Sequence, residues 1–342
     1  MGGSPAGAAR PATLVLRALG LGDLLAIVPA LRALRRAWPA HELVLAAPAR
    51  LRSAALATGL VDRLLPADAP GRAVPAALSW TGPPPEVAVD LHGNGPPSHL
   101  LLRALRPGRL LAYRHPDLAD LPGPHWDAHE HERSRWCRLL AWYGIDADPD
   151  DLRIAPPAVP SPALGAVLLH PGADAGARRW PARRFAEVAR ALHRAGAEVL
   201  VTAGHGEGRL AHHVARRAGL RPEAVIGGDD DVPFGDLAAL VAHARCLVAG
   251  DTGPAHLASA LGTPSVVLFG PVSPALWGPP RHGPHRALWR PGPGEDPYRP
   301  GDPHALEPDD RLLRITVEEV LAAVAELPER RPGPRPLRRA GT

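Results

Sequence analysis

Short apolar runs that end in glycine-rich polar loops and then pass into helical periodicity recur along this chain. That alternation restricts the fold more than any other feature. Residues 13–16 (TLVL), 42–46, 86–91 (EVAVDL) and 110–112 read as strands. Runs so nearly continuous in apolar residues suit strands buried on both faces of a parallel sheet. Between them the spacing turns helical. Leu24, Ile27, Val28, Leu31, Leu34 and Trp38 share one face, and 50–58, 98–106 and 134–143 follow suit, the last stopped by Gly144. Pro29 either kinks the first of these helices or marks its effective start.

A proline-rich stretch, 155–163 (APPAVPSPA), reads as a linker, after which the pattern restarts. Strands are expected over 166–169, 198–202, 247–249 and 265–269. Helices are expected over 181–194 with Pro181 in the first turn, 209–218, 236–242 with Asp236 as cap, and 254–261. A last helix, 316–327, opens on a capping box of Thr316 and Glu319. Residues 278–310 read as an irregular surface excursion and 328–342 as a disordered, Arg- and Pro-rich tail. Repeated β/α units make an α/β protein of two Rossmann-like domains, 1–154 and 164–327, facing a central cleft.

Composition excludes several function classes. The chain has no Lys, so all 39 basic residues are Arg, and they are spread along it. A net charge of +4 over 342 residues argues weakly for anionic ligands and against a nucleic-acid stripe. Cys137 and Cys246 lack CxxC spacing and read as reduced thiols of a cytoplasmic protein. No leader pattern opens the sequence, and no apolar run reaches 18 residues. The tail, with its five Arg, reads as solvated; peripheral contact with anionic lipid at the inner face of the membrane is the alternative. A monomer is expected.

In open parallel sheets ligands bind beyond the carboxyl ends of strands. Three strand-end loops stand out. The first is 19–23, where Gly20 and Gly22 allow a tight turn and Asp23 is presented at its end, either as a helix cap or as a general base toward a hydroxyl. The second is 170–181, where Arg178 and Arg179 precede a Trp-Pro helix start, either a solvated loop or a diphosphate site. The third is 250–256, where a Gly-rich turn opens a helix and brings Asp251, Thr252, Gly253 and His256 together, more than a simple capped turn needs. His115, His125, His129 and His131 are close in sequence but match no tight zinc spacing. Trp180 and Trp277 read as packing residues, with shaping of the loop 170–181 and lining of the cleft as their alternatives.

The stretches GLGDLLAIVPALRALRRAWP, HPGADAGARRWPARRFAEVARAL and DLAALVAHARCLVAGDTGPAHLASALGTPSVVLFGPVSPALWGP resemble glycosyltransferase family 9, the ADP-heptose:lipopolysaccharide heptosyltransferases. The resemblance runs over roughly residues 13–327 in matching order. It implies a GT-B fold, an inverting mechanism, no metal and no other cofactor. It also implies a nucleotide-sugar donor, ADP-heptose, and a glycan or glycolipid acceptor. Asp23 resembles the family's proposed catalytic base, and Arg178 falls where the family usually has a Lys on the donor diphosphate. Glu207 resembles the glutamate near the donor ribose, while Asp251, Thr252, Gly253 and His256 match the donor-binding segment. Gly22, Asp90 and His92 fall on the acceptor side. Closure of the domains over the donor is expected. Two departures stand out: Ala173 replaces the usual Ser or Thr after HPG, and 278–310 lacks the cysteines common near the family's C-terminus.

Two further classes fit the same pattern. A nucleotide-sugar epimerase of similar fold would need acid and base groups around the bound sugar. A non-catalytic nucleotide-sugar-binding protein would have no use for Asp23 and Arg178. A dehydrogenase is disfavoured, because no GxGxxG follows the first strand.

Overall fold

Eleven strands among the described residues form two separate sheets, and every pairing in both is parallel. The structure is a computed structural model that describes residues 10–329. The expected tail, 328–342, therefore lies outside the described residues beyond 329. The chain divides into two compact units. The first runs to Ala128 and includes Arg133–Asp151; the second takes His129–Glu132 and the chain from Leu152 onward.

In the first unit the strands are β1 (Ala12–Leu16), β2 (Glu42–Ala47), β3 (Arg63–Pro66), β4 (Val87–Asp90) and β5 (Arg109–Leu111). Their order in the sheet is β3-β2-β1-β4-β5. Helices α1 (Leu21–Ala26), α2 (Val28–Ala37), α3 (Arg52–Ala57), α4 (Pro96–Arg103) and α5 (Glu132–Trp142) accompany them. α1 ends before Pro29, and α2 begins at Val28 with Pro29 in its first turn, so the proline marks a start. Leu14, Leu16, Val44, Ala46, Ala88 and Leu102 make a core cluster at the sheet. Because the chain steps from β1 to one side and then returns to β4 on the other, the sheet reverses direction between β1 and β4.

The second unit repeats the plan with β6 (Val167–His170), β7 (Val199–Ala203), β8 (Val225–Gly227), β9 (Cys246–Gly250), β10 (Ser265–Leu268) and β11 (His285–Leu288). Their order is β11-β10-β9-β6-β7-β8, the doubly wound Rossmann order, with its reversal between β6 and β9. The helices are α6 (Ala182–Arg194), α7 (Gly208–Ala218), α8 (Phe234–His243), α9 (Gly253–Leu261), α10 (Pro274–Trp277), α11 (Asp310–Arg314) and α12 (Val317–Ala325). The capping box expected at the last helix is present: the Thr316 hydroxyl accepts from the Glu319 N–H at 3.2 Å and the Thr316 N–H donates to Glu319 at 2.8 Å.

The sequence reading needs three corrections here. β3, β8 and β11 go unrecognised in it; all three are sheet edges of three or four residues interrupted by Arg, Pro, Gly or His. Excursion 278–310 is consequently not all irregular, since it contains β11. Its remainder is tied down by Glu295, whose carboxyl is lowered to about 2, first by its hydrogen bond from Arg311. Asp236 is not the cap of α8; Pro233 occupies that position, and Asp236 sits in the first turn without a capping bond.

Trp180 is a core residue. It is 2% exposed, meets Phe185 edge-on at 5.1 Å, and its indole N–H donates to the Ile315 carbonyl at 3.1 Å. It thereby pins the chain between Arg178 and α6 to the segment just before α12. Trp180→Ala is expected to cost about 3–5 kcal/mol of stability, read as a fall in denaturant midpoint. A midpoint unchanged from wild type would contradict this anchoring role.

Candidate functional site

Each unit gathers its polar residues at its own sheet reversal, where loops on either side of the switch point diverge and leave a crevice at the strand ends. In the first unit the loops are those after β1 and β4. Asp23 occupies the third position of α1, and its Oδ2 accepts the Gly20 N–H at 3.0 Å. It is therefore a helix-start residue as well as a strand-end carboxylate. It is also 5% exposed, and two guanidiniums satisfy it. Arg17 donates from Nη2 to Oδ1 at 3.1 Å; Arg72 donates from Nη2 to Oδ1 at 3.0 Å and to Oδ2 at 2.9 Å. Burial by itself would raise the Asp23 carboxyl, but Arg17 and Arg72 overcome it and hold it below the usual carboxylate range.

Arg17 is 2% exposed and braced on every side. Nη1 donates to the Leu91 carbonyl at 2.6 Å, Nε to the Asp23 carbonyl at 3.3 Å, and the guanidinium lies over the Trp136 ring at 5.1 Å. Across the switch point, Asp90 ends β4 as expected, but its carboxylate is wholly buried. One oxygen accepts the His92 N–H at 2.9 Å and the other faces His99 Nδ1 at 2.7 Å. Asp90 thus holds the loop that carries His92 from beneath.

His99 Nε2 lies 2.7 Å from the Tyr113 carbonyl. Both ring nitrogens thus face acceptors, a setting that favours the doubly protonated ring. Burial opposes that charge, but the hydrogen bond and charge of Asp90 outweigh it and raise His99 above its ordinary value. His92 is the opposite case. Its Nδ1 accepts the Ala18 N–H at 3.3 Å, and burial, helped by Arg17 and Arg72, lowers its titration. It is a neutral ring that carries its proton on Nε2. Gly22, half-buried in the first turn of α1, keeps the backbone beside Asp23 free of a side chain.

In the second unit the loops after β6 and β9 do the same work. Arg178 ends a short 3-10 turn, and its Nη1 donates to the Asp251 carbonyl at 3.3 Å. Its Nε is buried and meets no hydrogen-bond partner among the described residues. A hollow of about 10 Å³, room for about one water, lies beside Arg178 and Asp251. Arg179 turns back instead and donates twice to the Ala173 carbonyl, at 2.8 and 2.6 Å.

Asp251 Oδ1 is 3.1 Å from His256 Nε2, and the His256 ring meets Trp277 edge-on at 5.8 Å. Thr252 starts α9, but its hydroxyl bonds back to the Gly250 carbonyl at 3.3 Å, so no side chain caps the helix. With Gly253 next and Pro254 lacking an N–H, the start of α9 is an uncapped, partly positive terminus. Arg178, Asp251, Thr252, Gly253 and His256 are thus brought together.

Glu207 lies at the neighbouring strand end, after β7. It accepts the Gly204 N–H at 2.8 Å and faces His170 Nε2 at 3.8 Å. Gly172 lets the two loops approach: a Cβ there would come within 2.0 Å of the Glu207 carboxylate. His170 Nδ1 meets the Thr202 carbonyl at 3.2 Å, and burial keeps the ring neutral. An open groove of about 720 Å³ in this unit, lined in part by Asp229, Asp230 and Leu240, includes none of Arg178, Glu207 and Asp251.

The four clustered histidines do not form a metal site; among the described residues no set of three His, Cys, Asp or Glu could hold an ion. His129 instead stacks on Tyr298 at 4.4 Å, and His131 bonds the Gly278 carbonyl at 3.0 Å. Both cysteines are buried, and burial pushes the Cys246 thiol up to about 11. No helix among the described residues is long and apolar enough to cross a membrane.

Sequence reasoning missed Arg17, Arg72 and His99. Arg17 directly follows β1, a position at which any polar side chain marks a strand end. The other two carry no local signal.

The two doubly wound units and the strand-end loops define a GT-B protein, and solved structures share that fold. A glycosyl transferase family 9 protein from Veillonella parvula superposes with TM-score 0.72 at 19% identity, over 92% of this chain and 96% of that one. The ADP-heptose lps heptosyltransferase II of Escherichia coli gives 0.70 at 20% identity, over 92% and 97%.

By sequence the likeness is narrower and more specific. Residues 149–286 match the profile of glycosyltransferase family 9 (heptosyltransferase). Lipopolysaccharide heptosyltransferase 3 of Escherichia coli is 34% identical over 115 residues, 33% of this chain and 33% of that protein. The match thus spans about a third of that curated relative's length. Over residues 149–286 the chain is thus similar to glycosyltransferase family 9 (heptosyltransferase).

The His99–Asp90 pair makes a pH-dependent contribution to stability. His99 titrates higher folded than unfolded, so its contribution is complete below the ordinary value of 6.5 and is lost as pH rises through the higher folded value. His99→Gln is expected to destabilise by about 1–3 kcal/mol. The melting difference from wild type should be largest on the acid side and narrow as pH climbs. A difference that grows with pH would show that the ring is neutral.

Proposed function

We propose that the protein is an inverting, metal-independent glycosyltransferase that moves a heptosyl group from ADP-heptose to a hydroxyl of an envelope glycan. The observation that carries this reading is the pairing of chemistries at the two sheet reversals. One holds a buried carboxylate, Asp23; the other holds Arg178 with an unsatisfied donor beside an uncapped helix start. The first is a proton acceptor; the second is a site for a diphosphate. The family 9 match over 149–286 and the ADP-heptose named for a solved structure of like fold favour the donor.

The reaction follows from these parts. The acceptor oxygen attacks the anomeric carbon and its proton passes to Asp23. The bond from that carbon to the diphosphate breaks, and the electron pair leaves with ADP. Arg178 and the start of α9 offset the charge that develops on the leaving group, each by about 2–4 kcal/mol. Glu207 accepts from the ribose hydroxyls, and Asp251 fixes His256 beside the diphosphate. Gly22 and His92 border the acceptor, His92 offering its Nε2–H. One displacement inverts the anomeric configuration.

With ADP-heptose and an acceptor glycan, Asp23→Asn is expected to lower turnover by about 10²- to 10⁴-fold with donor affinity little changed. Arg178→Ala should weaken donor binding about 10- to 100-fold. Turnover, calorimetric binding and the product's anomeric coupling read the three claims separately. Wild-type turnover in Asp23→Asn removes the base, absence of ADP-heptose binding removes the donor, and a retained anomer removes the single displacement.

A further inference from the structure

Asp23 as it stands has no room for a substrate proton. A carboxylate offers about four lone-pair positions. Here four hydrogen bonds reach it: the Gly20 N–H, one from Arg17 and two from Arg72. A base so occupied must lose a donor before it can act. The proposal below rests on the reading of Asp23 as that base.

The donors differ in what holds them. The Gly20 N–H belongs to the backbone at the start of α1. Arg17 is 2% exposed and fixed by the Leu91 carbonyl, the Asp23 carbonyl and the Trp136 face. Arg72 alone of these three is substantially exposed, at 42% of its side chain. It ends the short turn Pro70–Arg72, in which Gly71 (φ 59°) and Arg72 (φ 64°) are both left-handed. For glycine that conformation is easy; for arginine it is strained, and such strain persists where surrounding contacts enforce it. The contacts that draw Arg72 inward are its two bonds to Asp23.

We propose that Arg72 is a latch: in the resting chain it fills the lone pairs through which Asp23 would take a proton, and it swings off when an acceptor hydroxyl takes its place. Departure relieves the left-handed turn and removes one of two positive charges from the carboxylate. Arg17 remains and keeps Asp23 ionised and oriented. His92, the other titratable ring near Asp23, is neutral and does not replace the lost charge. Asp23 is thus a weak base while uncovered hydroxyls are absent and a stronger one once the acceptor has displaced the guanidinium. Without the latch, water would find Asp23 open and hydrolyse the donor. Arg72 is accordingly a positioning residue, acting on the reaction through Asp23.

Two measurements on the full chain test this. The first is a ¹³C titration of aspartate carboxyls, with Asp23 assigned by its loss in Asp23→Asn. Arg72→Ala should move the Asp23 midpoint upward by about one pH unit; an unmoved midpoint would show that Arg72 does not sit on Asp23 in solution and overturns the latch. The second is ADP release from ADP-heptose with no acceptor present. Arg72→Ala should release ADP about tenfold faster than wild type, Arg72→Lys should fall between, and Asp23→Asn/Arg72→Ala should lose the gain. A rate at or below wild type in Arg72→Ala, or a gain that survives loss of Asp23, sinks the latch and leaves Arg72 a fixed structural partner. Failure of the base or donor assignment looks different: no variant then releases ADP, and the carboxyl midpoint alone decides whether Arg72 covers Asp23.

Discussion

The buried pair of Arg17 and Asp23 is the contact on which the first unit's site depends. Arg17 leaves the end of β1 and bonds the carboxylate and carbonyl of Asp23 in α1. The same side chain takes the Leu91 carbonyl just past β4 and rests on Trp136 of α5. One side chain therefore ties together four elements that meet at the sheet reversal. Taking two charges out of water is costly, and such a pair is retained only where further hydrogen bonds complete it. Here they do, through the backbone carbonyls around Arg17 and the Gly20 N–H on Asp23. Deleting one partner would leave the other buried and unbalanced, at a cost of about 3–5 kcal/mol.

The chain contains no lysine, and this changes how its sites work. A lysine shifts its titration readily when buried; an arginine stays charged and presents a planar fork. Arg179 uses that fork on the Ala173 carbonyl, Arg72 reaches both oxygens of Asp23, and Arg178 reaches the Asp251 carbonyl. Fixed positive charge at both reversals leaves the carboxylates and histidines to carry any pH response. The histidines divide accordingly. His99, between two acceptors, is held toward its charged form, whereas burial holds His92 and His170 toward the neutral form. Where Ala173 lacks a hydroxyl, the loop is shaped instead by its carbonyl on Arg179.

What the sequence reveals and what it hides follows from the range of each interaction. Periodicity marks the central strands because both of their faces are buried; β3, β8 and β11 are short edges interrupted by Arg, Pro, Gly or His, and the pattern dissolves. Asp23, Arg178 and the segment from Asp251 to His256 stand out because glycines and strand ends flag them within a few residues. Arg72 does not, because it meets Asp23 across 49 residues of chain, and β3, which precedes its turn, is itself invisible in the pattern. Asp90 is legible as a strand-end carboxylate, yet its direction is not. Only the packing of α4 places His99 beside it and turns the carboxylate inward.

That inward turn explains a division of labour within the first unit. The loop after β4 is locked from beneath: Asp90 holds the His92 backbone with one oxygen and the buried ring of His99 with the other, and His99 is tied in turn to Tyr113. Asp90, His99 and Tyr113 are all buried, so the backbone of His92 keeps a fixed place. On the other side of Asp23 the chain approaches through an exposed left-handed turn whose inward bonds go to the carboxylate itself. A ligand entering there competes with Arg72 alone, since displacing Arg17 or His92 would unmake the sheet reversal. The carboxylate is therefore gripped by one partner that cannot leave and one that can, and this asymmetry lets a buried acid be both held in place and made available.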